Sequence, residues 1–413
     1  MLHRRTALIA PARLAAPSCA ALGVLLCVTQ LAHAEGADVF TLNASAALVQ
    51  DSNLFRLPAN ASLPTLIGSD SAADQITITS VGVQVNKDYS LQRVELDLNL
   101  ANYRYQNFSF LNNTANNYSA AWRWSVTPRL RGNLTTNRKE TLNDFTDVRG
   151  SQQSNQRVNV TSRLDGGFDL GGAWRITAGA AESTQINPQN QTAEADTVTR
   201  SVDAGVRYVY ASGSQWAYTL RNAEGSYRLS ANQAGLIDNV FEQQDHEVSL
   251  RWMLQGKSSA NLRLTALSRT HPQFASRDYS GINAAANYNL IVTGKTSVTV
   301  GLSRELGSYQ TNTSNYTQTD RVSIAPVWAI SAKTLLRLNF GYAKRDYLGS
   351  PTPAAANVLH RTDTLSDSAL SFDWQPQPHL TLSAAVQDSR RSSNVSGLDF
   401  QSTTTSLSAQ ISF

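Results

Sequence analysis

Leu407-Ser408-Ala409-Gln410-Ile411-Ser412-Phe413, the last seven residues of the chain, alternate apolar and polar side chains and end on an aromatic ring. A helix cannot place every second residue on one face; a strand must. The same period of two recurs upstream. Val94, Leu96, Leu98 and Leu100 alternate with Arg93, Glu95, Asp97 and Asn99. Tyr118, Ala120, Trp122, Trp124 and Val126 form the next run, and Val158, Val160 and Leu164 another, set against Arg157, Asn159 and Arg163.

Short turns separate pairs of these runs, at 87–92, 127–129, 170–173, 211–214, 255–258, 293–296, 331–334 and 375–379. Longer polar stretches fall between them, near 51–74, 107–116, 141–155, 186–194, 229–240, 271–278, 309–316, 347–363 and 390–399. Eight turns and nine loops predict eighteen strands, with sixteen to eighteen as the range. The fold class expected is all-β, a transmembrane antiparallel up-and-down β-barrel with short periplasmic turns and long external loops. All seven tryptophans, Trp122, Trp124, Trp174, Trp216, Trp252, Trp328 and Trp374, lie near the short turns and in the apolar phase. With Phe413 they read as an aromatic girdle at one membrane interface. Tyr105, Tyr118, Tyr279 and Tyr342 take the opposite ends. A β-propeller would share the spacing of about 41 residues between turns, but these strands are too long and no Gly-His or Trp-Asp pair recurs.

The other end of the chain reads as a targeting segment. Arg4, Arg5 and Arg13 precede a short apolar run from Ala20 to Val28, and Ala32-His33-Ala34 is a small-x-small cleavage site. Residues 1–34 are therefore expected to be a signal peptide and 35–413 one barrel domain. Both cysteines, Cys19 and Cys27, lie in the removed segment, which excludes disulfides and thiolate sites from the mature chain. It also holds three of the 35 basic residues and none of the 31 acids, so the mature balance is only +1. Nucleic-acid binding is not indicated. The alternating strand before a terminal Phe resembles the signal read by the outer-membrane barrel-assembly machinery. The location implied is the outer membrane of a Gram-negative cell, with lipid and lipopolysaccharide as surroundings.

If the apolar phase faces lipid, the other phase lines a lumen. Arg93, Arg123, Arg129, Arg131, Arg157, Arg163, Arg175, Arg207, Arg221, Arg251, Arg263, Arg321 and Arg337 fall on that inner phase. The inner acids assigned are Glu95, Asp97, Asp165, Asp203, Glu247 and Asp373. An arginine-lined pore attracts anions; arginines paired with acids would instead fill the lumen. Arg200, His246 and Lys344 carry outer parity near the long loops. Pro326 inside an apolar strand, and Asn102 and Arg104 beside Tyr103 and Tyr105, predict bulges.

No catalytic constellation emerges. The mature histidines are His246, His271, His360 and His379, and none sits in a nucleophile motif. No cluster has metal-ligand spacing; Asp144 and Asp147 read as loop solvation rather than a calcium site. No cofactor and no enzymatic activity are expected. Too few residues precede the first strand for a plug domain, and no helical period supplies an efflux-type tunnel.

The run Asp51-Ser52-Asn53-Leu54-Phe55-Arg56-Leu57-Pro58, with the barrel pattern and size, resembles the EpsL-like family of outer-membrane proteins from exopolysaccharide biosynthesis operons. The resemblance implies passage of a polymer across the outer membrane, in company with periplasmic polysaccharide-export proteins. Joined to the inner arginines, it leads to the expectation of an export pore for an anionic exopolysaccharide. A general porin or small-solute channel is the alternative, favoured if a long loop folds inward to constrict the lumen. A structural barrel with a filled lumen is the other.

Overall fold

A computed structural model of the chain describes residues 39–142, 145, 156–187, 196–227, 240–254, 256–309, 313–349 and 360–413. The expected signal peptide, Asp144 and Asp147 lie outside the described residues. Among those described, eighteen strands follow one another. The first nine are β1 (Phe40–Asp51), β2 (Asp74–Tyr89), β3 (Gln92–Tyr105), β4 (Asn113–Ser125), β5 (Leu130–Leu142), β6 (Gln156–Gly171), β7 (Trp174–Ile186), β8 (Thr197–Val209) and β9 (Gln215–Tyr227). The rest are β10 (Val240–Leu254), β11 (Ser258–Thr270), β12 (Tyr279–Ile291), β13 (Thr296–Ser308), β14 (Tyr316–Ser331), β15 (Thr334–Leu348), β16 (Thr362–Gln377), β17 (Leu380–Ser393) and β18 (Phe400–Ser412).

Each strand pairs antiparallel with its neighbours in sequence, and β1 pairs with β18. That last pairing closes the sheet, which removes both edges and satisfies the backbone of every strand internally. The fold is the expected eighteen-stranded up-and-down barrel. All eight tight connections gather at one end, each of two to five residues. In the two-residue β6–β7 turn Gly172 (φ 62°) supplies a left-handed backbone, and Gly171 (φ 105°), the last residue of β6, takes the positive φ of the bulge beside it.

Alternation sorts the side chains as the sequence predicts. Outer-phase apolar residues stay uncovered: Val94 is 47% exposed, Leu100 45% and Leu407 63%. Such positions recur on strand after strand, and a continuous apolar exterior is stable against lipid rather than water. Over the middle of the strands the inner phase carries most of the charged and amide side chains; toward the long loops the outer phase carries some as well.

Two expected bulges are absent. The β2–β3 register runs unbroken from Ile76↔Tyr105 to Tyr89↔Gln92, so Asn102 and Arg104 simply continue the outer phase beyond the apolar band. The β13–β14 register also passes through Val298↔Pro326 without a shift. Proline removes one N–H from the ladder but inserts no residue. The β-bulges lie at Asp169/Gly171, Ala329/Ser331 and Trp374/Gln377, all beside tight turns.

The tyrosines also divide. Tyr118 and Tyr342 keep the outer phase, but Tyr105 and Tyr279 point inward and are 8% and 6% exposed. Tyr105 belongs to the largest buried cluster, with Leu54, Phe55, Leu57, Ile67, Ile76, Phe108, Leu111 and Phe145. This cluster lies inside the barrel wall at the long-loop end.

Candidate functional site

The site is the lumen, and its long-loop mouth is shaped by the segment that follows β1. Residues 52–73 do not extend away from the barrel. Leu54, Phe55 and Leu57 turn back onto Ile76 and Tyr105, which are inner-face residues of β2 and β3, with Val49, Ile78 and Tyr103 packed alongside. Phe55 meets Phe108 edge-on at 4.7 Å and Phe145 at 4.8 Å between ring centroids. A short helix, α1 (Leu63–Ile67), has proline in its first turn and closes on Gly68 (φ 67°), whose N–H donates to the Pro64 carbonyl.

The run from Asp51 to Pro58 holds this fold together. The Asp51 carboxylate accepts from the Arg56 guanidinium (2.9 Å), the Ser402 hydroxyl (2.6 Å) and the Asn53 N–H (2.9 Å). The Asn53 amide donates to the Leu57 carbonyl (2.8 Å) and accepts from the Leu57 N–H (3.0 Å). It also donates to the Gln401 carbonyl at 3.0 Å. Arg56 takes a left-handed backbone (φ 54°) to make this reversal. The loop is thus tied to β18 as well as β1. Asp74, fully buried, does the same for the β3–β4 connection, accepting the N–H groups of Asn107 (2.8 Å) and Phe108 (3.1 Å).

Toward the tight-turn end, the lumen wall from β3 to β10 carries an ordered charge array. Glu95 accepts from both Arg93 (2.9 Å) and Arg123 (2.8 Å). Asp169 accepts from Arg131 (3.1 Å) and from Arg175. Asp203 takes a bidentate pair from Arg163, 2.6 and 2.9 Å, with Arg221 at 4.0 Å. Each of these carboxylates therefore serves two arginines. Arg207 stands directly across the ladder from Arg175 and has no acid partner among the described residues. A cavity of about 590 Å³ opens here, lined by seven arginines against Asp88, Asp165 and Asp203.

On the far wall the pairing is one to one: Arg263 with Glu247 (3.7 Å), Arg321 with Asp367 (3.6 Å) and Arg337 with Asp373. Arg251 has no acid partner among the described residues. Arg157 donates to the Asn187 side chain at 3.2 Å, and Arg129 lies in the β4–β5 turn rather than on the wall. The expected excess of arginine over acid shrinks, because Asp88, Asp169, Asp245 and Asp367 share the inner phase. Sequence alternation hides two of these: Asp245 lies in Gln243-Gln244-Asp245-His246-Glu247 and Asp367 between serines, where no apolar residue marks the outer face.

The seven tryptophans all take the outer face near the tight-turn end. Trp122, Trp174, Trp252, Trp328 and Trp374 are 42–52% exposed. Trp174 stacks edge-on with Tyr208 (4.9 Å) and Trp216 (5.7 Å). Trp124 lies over Gly132 and Gly166, where added Cβ atoms would crowd its ring. Phe413 exchanges backbone bonds with Leu42 (2.8 and 2.9 Å) and stacks on His379. Arg200, His246 and Lys344 also face outward; they bond Glu182 (2.7 Å), the Tyr218 hydroxyl (2.8 Å) and Asp346 (3.1 Å).

No protein-family model and no curated protein matches the chain. Solved structures do. It is similar to OccK2 (OpdF) of Pseudomonas aeruginosa, with 12% identity over 91% of this chain and 98% of that one and a TM-score of 0.52. OccK9 (OpdG) of the same organism is 11% identical over 91% and 98%, again with a TM-score of 0.52. The outer membrane protein opdK, also from Pseudomonas aeruginosa, is 11% identical over 91% and 99%, at 0.49. At this identity the likeness is one of fold: the chain has the barrel of OccK2 and OccK9.

Proposed function

We propose that this protein is an outer-membrane channel for small solutes, with the tight turns on the periplasmic side and a preference for anions. The observation that carries the reading is the inward fold of residues 52–73. A loop packed on the lumen face of β1 to β3 narrows the mouth, as a solute channel requires and a polymer duct does not. The three carboxylates shared between arginine pairs, together with Arg207, place local positive potential on the path. The exterior supports the membrane location, and the fold shared with the Pseudomonas aeruginosa barrels agrees with it. Among the described residues no group of His, Asp and Glu could hold a metal ion. Export of an exopolysaccharide has the EpsL-like resemblance of residues 51–58 behind it, and no feature of the lumen adds to it.

Planar-bilayer recording tests the proposal. In a potassium chloride gradient the reversal potential should report chloride passing severalfold more readily than potassium. The double substitution Arg175→Gln and Arg207→Gln should move it toward cations. Absence of conductance from correctly folded protein would return the structural barrel, and cation selectivity in the unaltered protein would remove the anionic preference.

A further inference from the structure

The outer wall contains a groove that the channel reading does not use. On β12 two alanines, Ala284 and Ala286, occupy outer-phase positions where neighbouring strands carry larger side chains. Leu302 and Val322 rise beside them, and the resulting groove holds about 650 Å³. At its long-loop end the register sets Ala284, Arg304, Asp320 and Lys344 in one row across four adjacent strands. Arg304 binds Asp320 at 2.6 and 3.0 Å, while Lys344 reaches Asp346, one step further out, at 3.1 Å. Arg304, Lys344 and Asp320 give the row one net positive charge, which Asp346 balances, so the rim is neutral overall with two cations on it.

Its depth is set by the strand. Asp320 lies eight residues from Trp328 along β14. That is about 27 Å of strand, or about 20 Å along the barrel axis at a tilt near 40°. The apolar band of such barrels is about 25 Å tall. The cationic row therefore lies just inside the far edge of that band, on the side opposite the tryptophans, where long Arg and Lys side chains reach up to the headgroups, and the alanine floor lies in the hydrocarbon.

We propose that this groove seats an acyl chain of a phosphorylated lipid of the external leaflet, whose phosphate lies against Arg304 and Lys344. Small residues let a chain lie close to the wall, where dispersion contact is greatest. Charge decides the headgroup. A second outward groove, of about 950 Å³, crosses Ala180 and provides a built-in contrast. Its rim row is Glu182, Arg200, Glu224 and Glu242, with a net charge of −2. The second groove is also more polar, with Ser162, Asn222, Gln244, Ser268 and Thr270 on its wall, so in both lining and charge the groove over Ala284 suits a phosphorylated lipid better.

The inference rests on the outer-membrane reading and is tested apart from conductance. Lipid A is added to the folded barrel in non-ionic detergent, and adducts are counted by native mass spectrometry. Diacylglycerol serves as the phosphate-free control. The unaltered protein should take up lipid A saturably, at least tenfold tighter than diacylglycerol. Arg304→Gln with Lys344→Gln should weaken lipid A at least tenfold, and Ala284→Trp should block the site. Arg200→Gln should change nothing. Equal binding by the double variant, equal binding of diacylglycerol, or an equal loss in Arg200→Gln would overturn the proposal. Heat-modifiable gel mobility confirms that each variant remains a barrel, so the membrane reading survives a negative result.

Discussion

Phe55 shows how much a single side chain decides. It is 3% exposed, inside the barrel, in contact with rings from two other loops. Truncating a buried Phe costs about 3–5 kcal/mol, here charged to the loop rather than to the strand ladder. Phe55→Ala should free residues 52–73, raise single-channel conductance in planar bilayers and leave heat-modifiable mobility intact. Unchanged conductance would mean that the loop does not narrow the path. At this scale the sequence was only partly legible. The run from Asp51 to Pro58 stood out as a motif, but nothing in it announces that Asp51 reaches Ser402 across 351 positions. Apart from Arg129, which falls in a turn, the predicted arginines were legible by parity. Their pairing was not, because which acid a guanidinium reaches depends on the diagonal offset between strands. Glu95 accepts from its own neighbour but one, Arg93, and from Arg123 on the next strand.

Strands were the most legible elements, since one face is apolar and a one-residue slip would reverse every side chain. The misjudged places are those where composition and geometry part. Pro326 reads as a defect but costs a single donor, and Tyr105 reads as an interface ring but turns inward with the rest of its phase. β3 offers a clean test of the facing. Leu98 sits mid-band on the outer face and Asn99 on the inner. Leu98→Arg should destabilise the barrel by about 2–4 kcal/mol in lipid vesicles, whereas Asn99→Arg should cost little. Reversible guanidinium unfolding followed by tryptophan fluorescence measures both, and equal losses would show that the faces are misassigned.

At the scale of the whole molecule, strand number and order were open to sequence because turns and loops alternate in length. The closing pair was implied only by the even count. Its register, Asn43↔Ser412 through Asp51↔Thr404, is specified by two ends rather than by a hairpin. Asp51, Ser52 and Asn53 fasten it to Ser402, Thr403 and Gln401 at one end, and Leu42 fastens it to Phe413 at the other. The lumen's net balance is likewise a property of the closed ring, since it sums acids that no local window displays.

The contact between Leu42 and Phe413 means that the two ends of the ring are neighbours, on the same rim as the eight tight connections. Topologically, then, the place where the chain is cut is arbitrary. A short flexible linker from 413 to 40 would make a ninth hairpin of the same kind, and new ends could be opened in the β6–β7 turn, between Gly172 and Ala173. Such a circular permutant should refold from urea into detergent micelles with the same heat-modifiable mobility. In cells, its β6 would arrive last in place of β18. Normal refolding in the tube with poor insertion in the cell would show that the order of the strands matters for insertion and not for the stability of the closed ring. Failure to refold in micelles would show instead that the seam needs free ends.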